Sequence, residues 1–376
     1  MALTPHAYDD GSGRSAAVAL PSLRRIITEL AAKLGMSAAN AATFADVYMR
    51  ATLRGVGHHD VHSLCDRLAS LRRGHLNPDP DIRLQAGHQA VERYDGDNGP
   101  GELCSAFATE RAAQLADRYG IGLCAVSSSN HFLAAAPYVE KAAEQGYLAI
   151  VLSRARPIMG VASSGARILG NSPFGFATAT GRGHPLLMDA CLAHASVGTL
   201  EMMRDEGRSV PPCWGADETG QPTTDPGVIL DRGTSYPIGA HKGFGLALLM
   251  ETLTGVLAEG ALLAELNPRH PGGHGVHSQT AIVIRPDALM PQARFRQRVD
   301  DLLDGIEAEA PGARIPGKAS HANRQQAERA GTITLIGGLV DAINRWAGEL
   351  GVPPLPLSPA HPRHMSTPRE ETHEPS

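Results

Sequence analysis

Aromatic residues make up only 4% of this 376-residue chain, and its five cysteines include no Cys-x-x-Cys pair. That pattern excludes a zinc ribbon and offers no disulfide framework, so a reducing compartment is expected. Cys124 and Cys191 sit in apolar runs and read as small buried hydrophobes. There is no basic excess: 34 Lys plus Arg stand against 39 Asp plus Glu, for a formal net charge of −5. The scattered arginines make no continuous stripe, so no nucleic-acid partner is expected. No apolar run reaches membrane-spanning length without Gly or charge, and no basic-then-apolar signal pattern opens the chain; no membrane partner and a cytoplasmic location are expected. A Gly-x-Gly-x-x-Gly between an early strand and a helix is absent too, which removes the usual Rossmann fingerprint.

What is present reads as an α/β protein. The length suits two lobes, or one large domain with an added layer. Residues 1–20 are rich in Gly, Ser and Asp and read as a disordered leader. A helix fits 22–34, with Leu23, Ile26, Ile27, Leu30 and Leu34 on one face, and another fits 38–53. A strand is expected at 87–96 and a helix at 103–119. Strand 122–126, helix 137–145 and strand 148–152 follow as a βαβ-like unit, arguing for a partly parallel sheet. Further expectations are a strand at 184–188, a helix at 192–206, a long apolar helix opening at 239–245 and running to about 266, a strand at 279–284, and helices at 295–308 and 338–350. The Pro-, His-, Ser- and Glu-rich segment 353–376 reads as a disordered tail.

Four segments could carry chemistry. His131, in Ser128-Ser129-Asn130-His131-Phe132, follows a strand end, where α/β enzymes place reactive groups. In His58-His59-Asp60-Val61-His62, the spacing of His58 and His62 would put both on one helical face and bind a divalent metal. Gly55 and Gly57 weaken a helix there, and a loop of solvated imidazoles or a proton-donating His remain open readings. Gly239-Ala240-His241-Lys242-Gly243-Phe244-Gly245 opens a helix, where N–H groups and the helix dipole favour an anion, with Lys242 adding charge. Asp189, closing an apolar strand, either orients a histidine, binds a ribose hydroxyl, or caps the next helix.

Taken in order, Arg54-Gly55-Val56, Asp95-Gly96, Asn98-Gly99, Ser129-Asn130-His131-Phe132 and Leu169-Gly170-Asn171-Ser172-Pro173 resemble the malate/L-lactate dehydrogenase family. So do Asp189, Pro222-Thr223-Thr224-Asp225-Pro226, His241-Lys242-Gly243-Phe244-Gly245 and Arg314-Ile315-Pro316-Gly317. The family includes sulfolactate, ureidoglycolate and diketogulonate enzymes and piperideine-2-carboxylate reductases. The resemblance implies an L-sulfolactate-dehydrogenase-like mixed-sheet cofactor domain that is not a Rossmann fold, with a mainly helical lobe beside it. Residues 111–289 would form the nicotinamide lobe, and 21–110 plus 290–352 the helical substrate lobe. It also implies a homodimer using NAD or NADP, catalysis by His131, His59 and Asp189, and cofactor contacts at Asn171, Leu187, Met188, Asp189, His241, Lys242, Gly243, Arg314, Pro316 and Gly317.

The departures bear on substrate. Where the family has Ser-His-Gly and then Arg, this chain has His58-His59-Asp60 and then Ser63; Leu192-Ala193 and Gly198-Thr199 replace Thr-Ser and Gly-Lys. With that Arg gone, Arg54, Arg154 and Arg156 are the candidate anchors for a substrate carboxylate, with His58 beside them. The expected activity is hydride transfer to or from a 2-keto/2-hydroxy acid or a cyclic imino acid, with a His acid/base and no metal. The alternatives are a cofactor-binding paralogue without turnover, or a metal-dependent lyase or hydrolase using His58, His62 and His131.

Overall fold

The computed structural model describes residues 14–161, 164–266, 275–356 and 358–359. The chain begins with β1 (Ser15–Ala19), α1 (Leu20–Lys33), α2 (Ala38–Arg54) and α3 (Leu64–Arg72). It continues through β2 (Arg83–His88), β3 (Val91–Gly99), α4 (Gly101–Tyr119), β4 (Ile121–Ser129), α5 (Ala136–Glu144), β5 (Leu148–Ser153), β6 (Phe174–Thr178) and β7 (Leu186–Ala190). Then come α6 (Val197–Asp205), β8 (Gly215–Ala216), α7 (Pro226–Asp231), β9 (Thr234–Ser235), α8 (His241–Glu251), β10 (His277–Ile284), α9 (Gln292–Glu309), α10 (Lys318–Ala330), β11 (Thr332–Ile336), α11 (Gly337–Leu350) and β12 (Ser358–Pro359).

Seven strands form one mixed sheet in the order β2-β3-β4-β10-β5-β6-β7, in which only β3 and β4 pair in parallel. The expected β4-α5-β5 unit is therefore interrupted. β10 lies between its two strands, antiparallel to both. This strand is buried along nearly its whole length. It arrives more than a hundred residues after the pair it separates, so no local pattern announces its place. The directly adjacent parallel crossover is β3-α4-β4.

The periodic segments fold as their patterns require. α1 buries Leu23, Ile26, Ile27 and Leu30, with a Pro in its first turn. α2 is capped by Ser37, whose Oγ accepts the Asn40 N–H, and ends at Gly55 in the left-handed conformation. These helices share one core with α4, α5, α11 and one face of the sheet; a smaller cluster of Leu152, Met159, Leu169, Leu192, Ala247 and Met250 joins the other face to α8. No helix among the described residues is long and apolar enough to cross a membrane.

Several expectations are corrected. Residues 15–19 are not part of a disordered leader. They pair antiparallel with β11 from Ser15↔Ile336 to Ala19↔Thr332, burying Ala16 and Val18 in strand alternation; residues 1–13 lie outside the described residues. The tail begins ordered: Leu355 is buried, its N–H bonds Asn344 Oδ1 at 2.7 Å, and β12 pairs with β1. A lobe boundary at 110/111 would cut α4 in two, and β2 and β3 belong to the large sheet, so the sheet unit starts at Arg83. α9 lies at the β6–β7 edge, where Asp300 accepts the Gly181 N–H at 3.0 Å. The segment expected to be helical from 192 becomes helical only at Val197, where Ser196 caps α6. α8 stops at Glu251, followed by a π-helical turn at Thr252–Val256 in place of a continuous helix to 266.

A buried ion pair joins three of these helices. Arg54, the last residue of α2, gives Nε and Nη2 to Glu140 Oε1 of α5 at 2.9 and 2.5 Å, both side chains being 1% exposed. Arg324 of α10 reaches the same oxygen, and Arg50 bonds the other at 3.3 Å. Removing Glu140 leaves the Arg54 guanidinium buried without its counter-ion, whereas Arg50 keeps Asp46 and Glu144 and Arg324 keeps Glu144 and Glu328; Glu140→Ala is expected to cost about 3–5 kcal/mol in urea denaturation. The exposed Arg72–Glu349 pair supplies the contrast: Glu349→Ala should change stability by less than about 1 kcal/mol.

Candidate active site

The carboxyl ends of β4, β5 and β7 lie along one edge of the sheet, and a cavity of about 460 Å³ opens there. Loops following α2 and β4 and the turn before α10 close it. Its wall gathers Arg54, His58, His59, His131, Arg154, Asn171, Leu187, Met188, Asp189, Pro316 and Gly317.

His131 is held through its main chain. Ser128 (φ 51°) and Leu133 (φ 74°) bracket it in left-handed conformations. Asn130 Nδ2 donates to the carbonyls of Asn98 and Gly99 at 3.1 and 3.0 Å, and Gln279 Nε2 donates to the Asn130 carbonyl at 2.9 Å. Arg67 Nη2 donates to the His131 carbonyl at 2.7 Å while its Nε donates to buried Glu102 at 2.9 Å. Position 101 must be glycine for this crossing: a Cβ there would stand 2.2 Å from the Asn130 oxygen and 2.4 Å from that of His131. The ring is equally constrained. Nδ1 accepts the Leu133 N–H at 3.2 Å, so the neutral imidazole carries its proton on Nε2. Burial, then the neighbouring His59, Arg67, His277 and His58, push its pKa well below the ordinary histidine value.

Asp60 organises the other histidines. Its carboxylate accepts the N–H groups of Gly57 and His62, each at 3.0 Å, and bonds His62 Nδ1 at 2.6 Å. The chain turns into a 3₁₀ segment, Val61–Ser63, so the helical face that would pair His58 with His62 does not form. Among the described residues no group of three or more His, Cys, Asp or Glu side chains is placed to hold a metal ion. Instead His58 packs on His59 with ring centroids 4.1 Å apart, and His59 on His131 at 5.0 Å. Burial, and second His58, take the His59 pKa down to about 3.

The remaining candidates divide. Asp189 accepts the Ala136 N–H at 2.8 Å, serving the start of α5 rather than an imidazole or the helix after it; burial raises its pKa to about 6. Arg54 gives Nη1 to Ser320 Oγ at 2.8 Å and the rest of its fork to Glu140. Arg154 is fully buried and pairs with Glu251 through Nη2, while Nε and Nη1 have no hydrogen-bond partner. Arg156 is exposed.

On the cofactor side, Asn171, Leu187, Met188, Asp189, Pro316 and Gly317 line the cavity. His241 instead lines a second, apolar cavity of about 670 Å³ with Cys213, Tyr236 and Phe244. Lys242 and Arg314 are exposed, and Gly243 packs against the Ile238 carbonyl. The residues present fit a flat ring: Leu187, Met188 and Pro316 form an apolar wall in the cavity that also holds the imidazoles, where His58 Nε2 and His59 Nδ1 are buried without a hydrogen-bond partner. Arg67, Glu102, Glu140 and Ser320 carry this site without any motif of their own. Each is an ordinary helix residue whose role exists only in the fold.

Comparison with known proteins places the site in context. Residues 18–344 match the family model for malate/L-lactate dehydrogenase. The chain is 29% identical over 334 residues to L-sulfolactate dehydrogenase of Methanocaldococcus jannaschii, covering 88% of this chain and 96% of that protein. It is 29% identical over 306 residues to 2,3-diketo-L-gulonate reductase of Klebsiella pneumoniae, covering 80% and 91%. The structure of the M. jannaschii sulfolactate dehydrogenase superposes with a TM-score of 0.81 at 27% identity, covering 89% of this chain and 98% of that one. That of delta1-piperideine-2-carboxylate reductase from Pseudomonas syringae gives 0.79 at 27% identity, covering 88% and 99%. The fold that places these histidines beside an apolar wall is thus shared with dehydrogenases and reductases, and the chain, an NAD(P)-dependent oxidoreductase, belongs to the malate/L-lactate dehydrogenase family.

Proposed function

We propose that the protein transfers a hydride between NAD(H) or NADP(H) and the carbon beside a carboxylate in a 2-keto/2-hydroxy acid or a cyclic imino acid. A bound nicotinamide supplies or accepts the hydride, held at Leu187, Met188 and Pro316 with Asn171 and Asp189 as polar contacts. The observation that carries the reading is the pairing of His59 and His131 within one cavity with that apolar wall.

The two histidines take different parts. With Nδ1 engaged by Leu133, His131 presents Nε2–H and donates a hydrogen bond to the reacting oxygen or nitrogen. His59 has Nδ1 without a partner and moves the proton. In oxidation it accepts the hydroxyl proton as a neutral imidazole, the form that burial and the facing His58 favour. In reduction the substrate's negative carboxylate raises its affinity for a proton. Of the candidate anchors, Arg154 keeps unengaged N–H groups, whereas Arg54 is committed to Glu140, so Arg154 is assigned the carboxylate.

A homodimer is part of the proposal. Leu246, Leu248, Leu249, Val256 and Leu257, on α8 and the turn after it, are 45–58% exposed, a group of apolar side chains of the kind that subunits cover.

Two measurements follow. The purified protein should consume NADH or NADPH with at least one member of a 2-keto-acid and cyclic-imino-acid panel, and His59→Gln should lower kcat about 100-fold or more. No turnover with any pair, or wild-type kcat in His59→Gln, would contradict the assignment. Light scattering should give twice the chain mass for the wild type and a monomer for Leu249→Glu.

A further inference from the structure

We infer that His58 is a proton-relay residue, passing protons between solvent and His59 at the rim of the cavity. The inference rests on the reductase reading and adds the route by which its proton arrives.

The geometry is a stack of imidazoles. His58 and His59 have centroids 4.1 Å apart and planes 54° apart, and His59 and His131 follow at 5.0 Å and 41°. The stack is directional. At its inner end, Nδ1 of His131 is held by the Leu133 N–H, so that ring cannot pass a proton through without breaking the bond that fixes it. At its outer end, His58 is only partly buried, and its Nε2 and the His59 Nδ1, both buried, have no hydrogen-bond partner, so neither nitrogen is committed to another group.

His58 also occupies a built slot. Gly198, in the first turn of α6, lies so close that a Cβ there would stand 2.5–2.8 Å from three atoms of the His58 ring. The ring is clamped between that backbone and His59, not waving in solvent. The charges around it set the gradient. Burial is the largest influence and lowers the His58 pKa; Asp60, from the same loop, partly offsets it by favouring a proton there, and His62 opposes one. Burial and the facing His58 both oppose a proton on His59, and Arg67 and His277 lie further in, against His131. An incoming proton is therefore better held on His58 than on the rings behind it, and moves inward when the substrate draws on His59.

In reduction the substrate carbon gains the hydride and its oxygen or nitrogen takes one proton from His59. His58 then gives its proton to His59 and recovers one from solvent. Each hop breaks one N–H bond and forms another, so a turnover consumes one hydride and one solvent proton. Oxidation runs the same path outward.

The test is His58→Ala in the full-length enzyme, with the wild type assayed beside it. The substitution leaves a ring-sized hole over Gly198. kcat should fall about tenfold or more with KM and cofactor Kd within about twofold. Added imidazole should restore kcat saturably, while pyrazole, equal in shape but far less basic, should not. His58→Gln, which fills the slot yet carries no proton, should show the same loss with wild-type melting behaviour. Unchanged kcat in either variant, a loss confined to KM, absence of rescue, or equal rescue by pyrazole overturns the relay. Absence of wild-type turnover overturns the reductase reading itself, and the relay with it.

Discussion

The site depends on the buried contact between Arg54 and Glu140. Arg54 ends α2, and the next residues carry His58 and His59. Glu140 lies on α5, which begins just after the His131–Leu133 turn. Arg324, on the same carboxylate, sits on α10, which begins just after Pro316–Gly317. One carboxylate thus fixes the spacing of the three segments that form the cavity. A charge so deeply buried persists only with its partners in place. The same commitment removes Arg54 as a substrate anchor.

A second buried pair does the finer positioning. Arg67 and Glu102 tie α3 to the start of α4, and Arg67 then holds the His131 carbonyl. The rings themselves are neutral because they are buried and because each disfavours a proton on the next. Two nearly identical side chains come to differ in function through one hydrogen bond, that of Leu133 to His131 Nδ1. One imidazole becomes a fixed donor and its neighbour stays free to exchange a proton.

Much of this was legible in the residue pattern. The amphipathic helices and the β4 strand leading to His131 follow from periodicity, and the resemblance to the family implied the site positions His59, Asn171, Leu187 to Asp189 and Pro316-Gly317 that line one cavity. What escaped was non-local. β10 inserts between β4 and β5 from far along the chain, and β1 looks like a leader until β11 pairs with it. Asp189 caps α5 across 53 residues, and Glu140 gathers guanidiniums from α2 and α10. Interactions of that range leave no trace in local spacing. The His58–His62 spacing is helical, but Gly57 and Asp60 bend the segment into a turn, the loop alternative that the flanking glycines had kept open.

The direct test of hydride transfer beside proton transfer is to follow deuterium. Reduction of the best panel substrate with nicotinamide deuterated at the transferred C4 position should place one deuterium on the product carbon beside the carboxylate, with the oxygen- or nitrogen-bound hydrogen drawn from solvent. The same product free of carbon-bound deuterium would contradict the account.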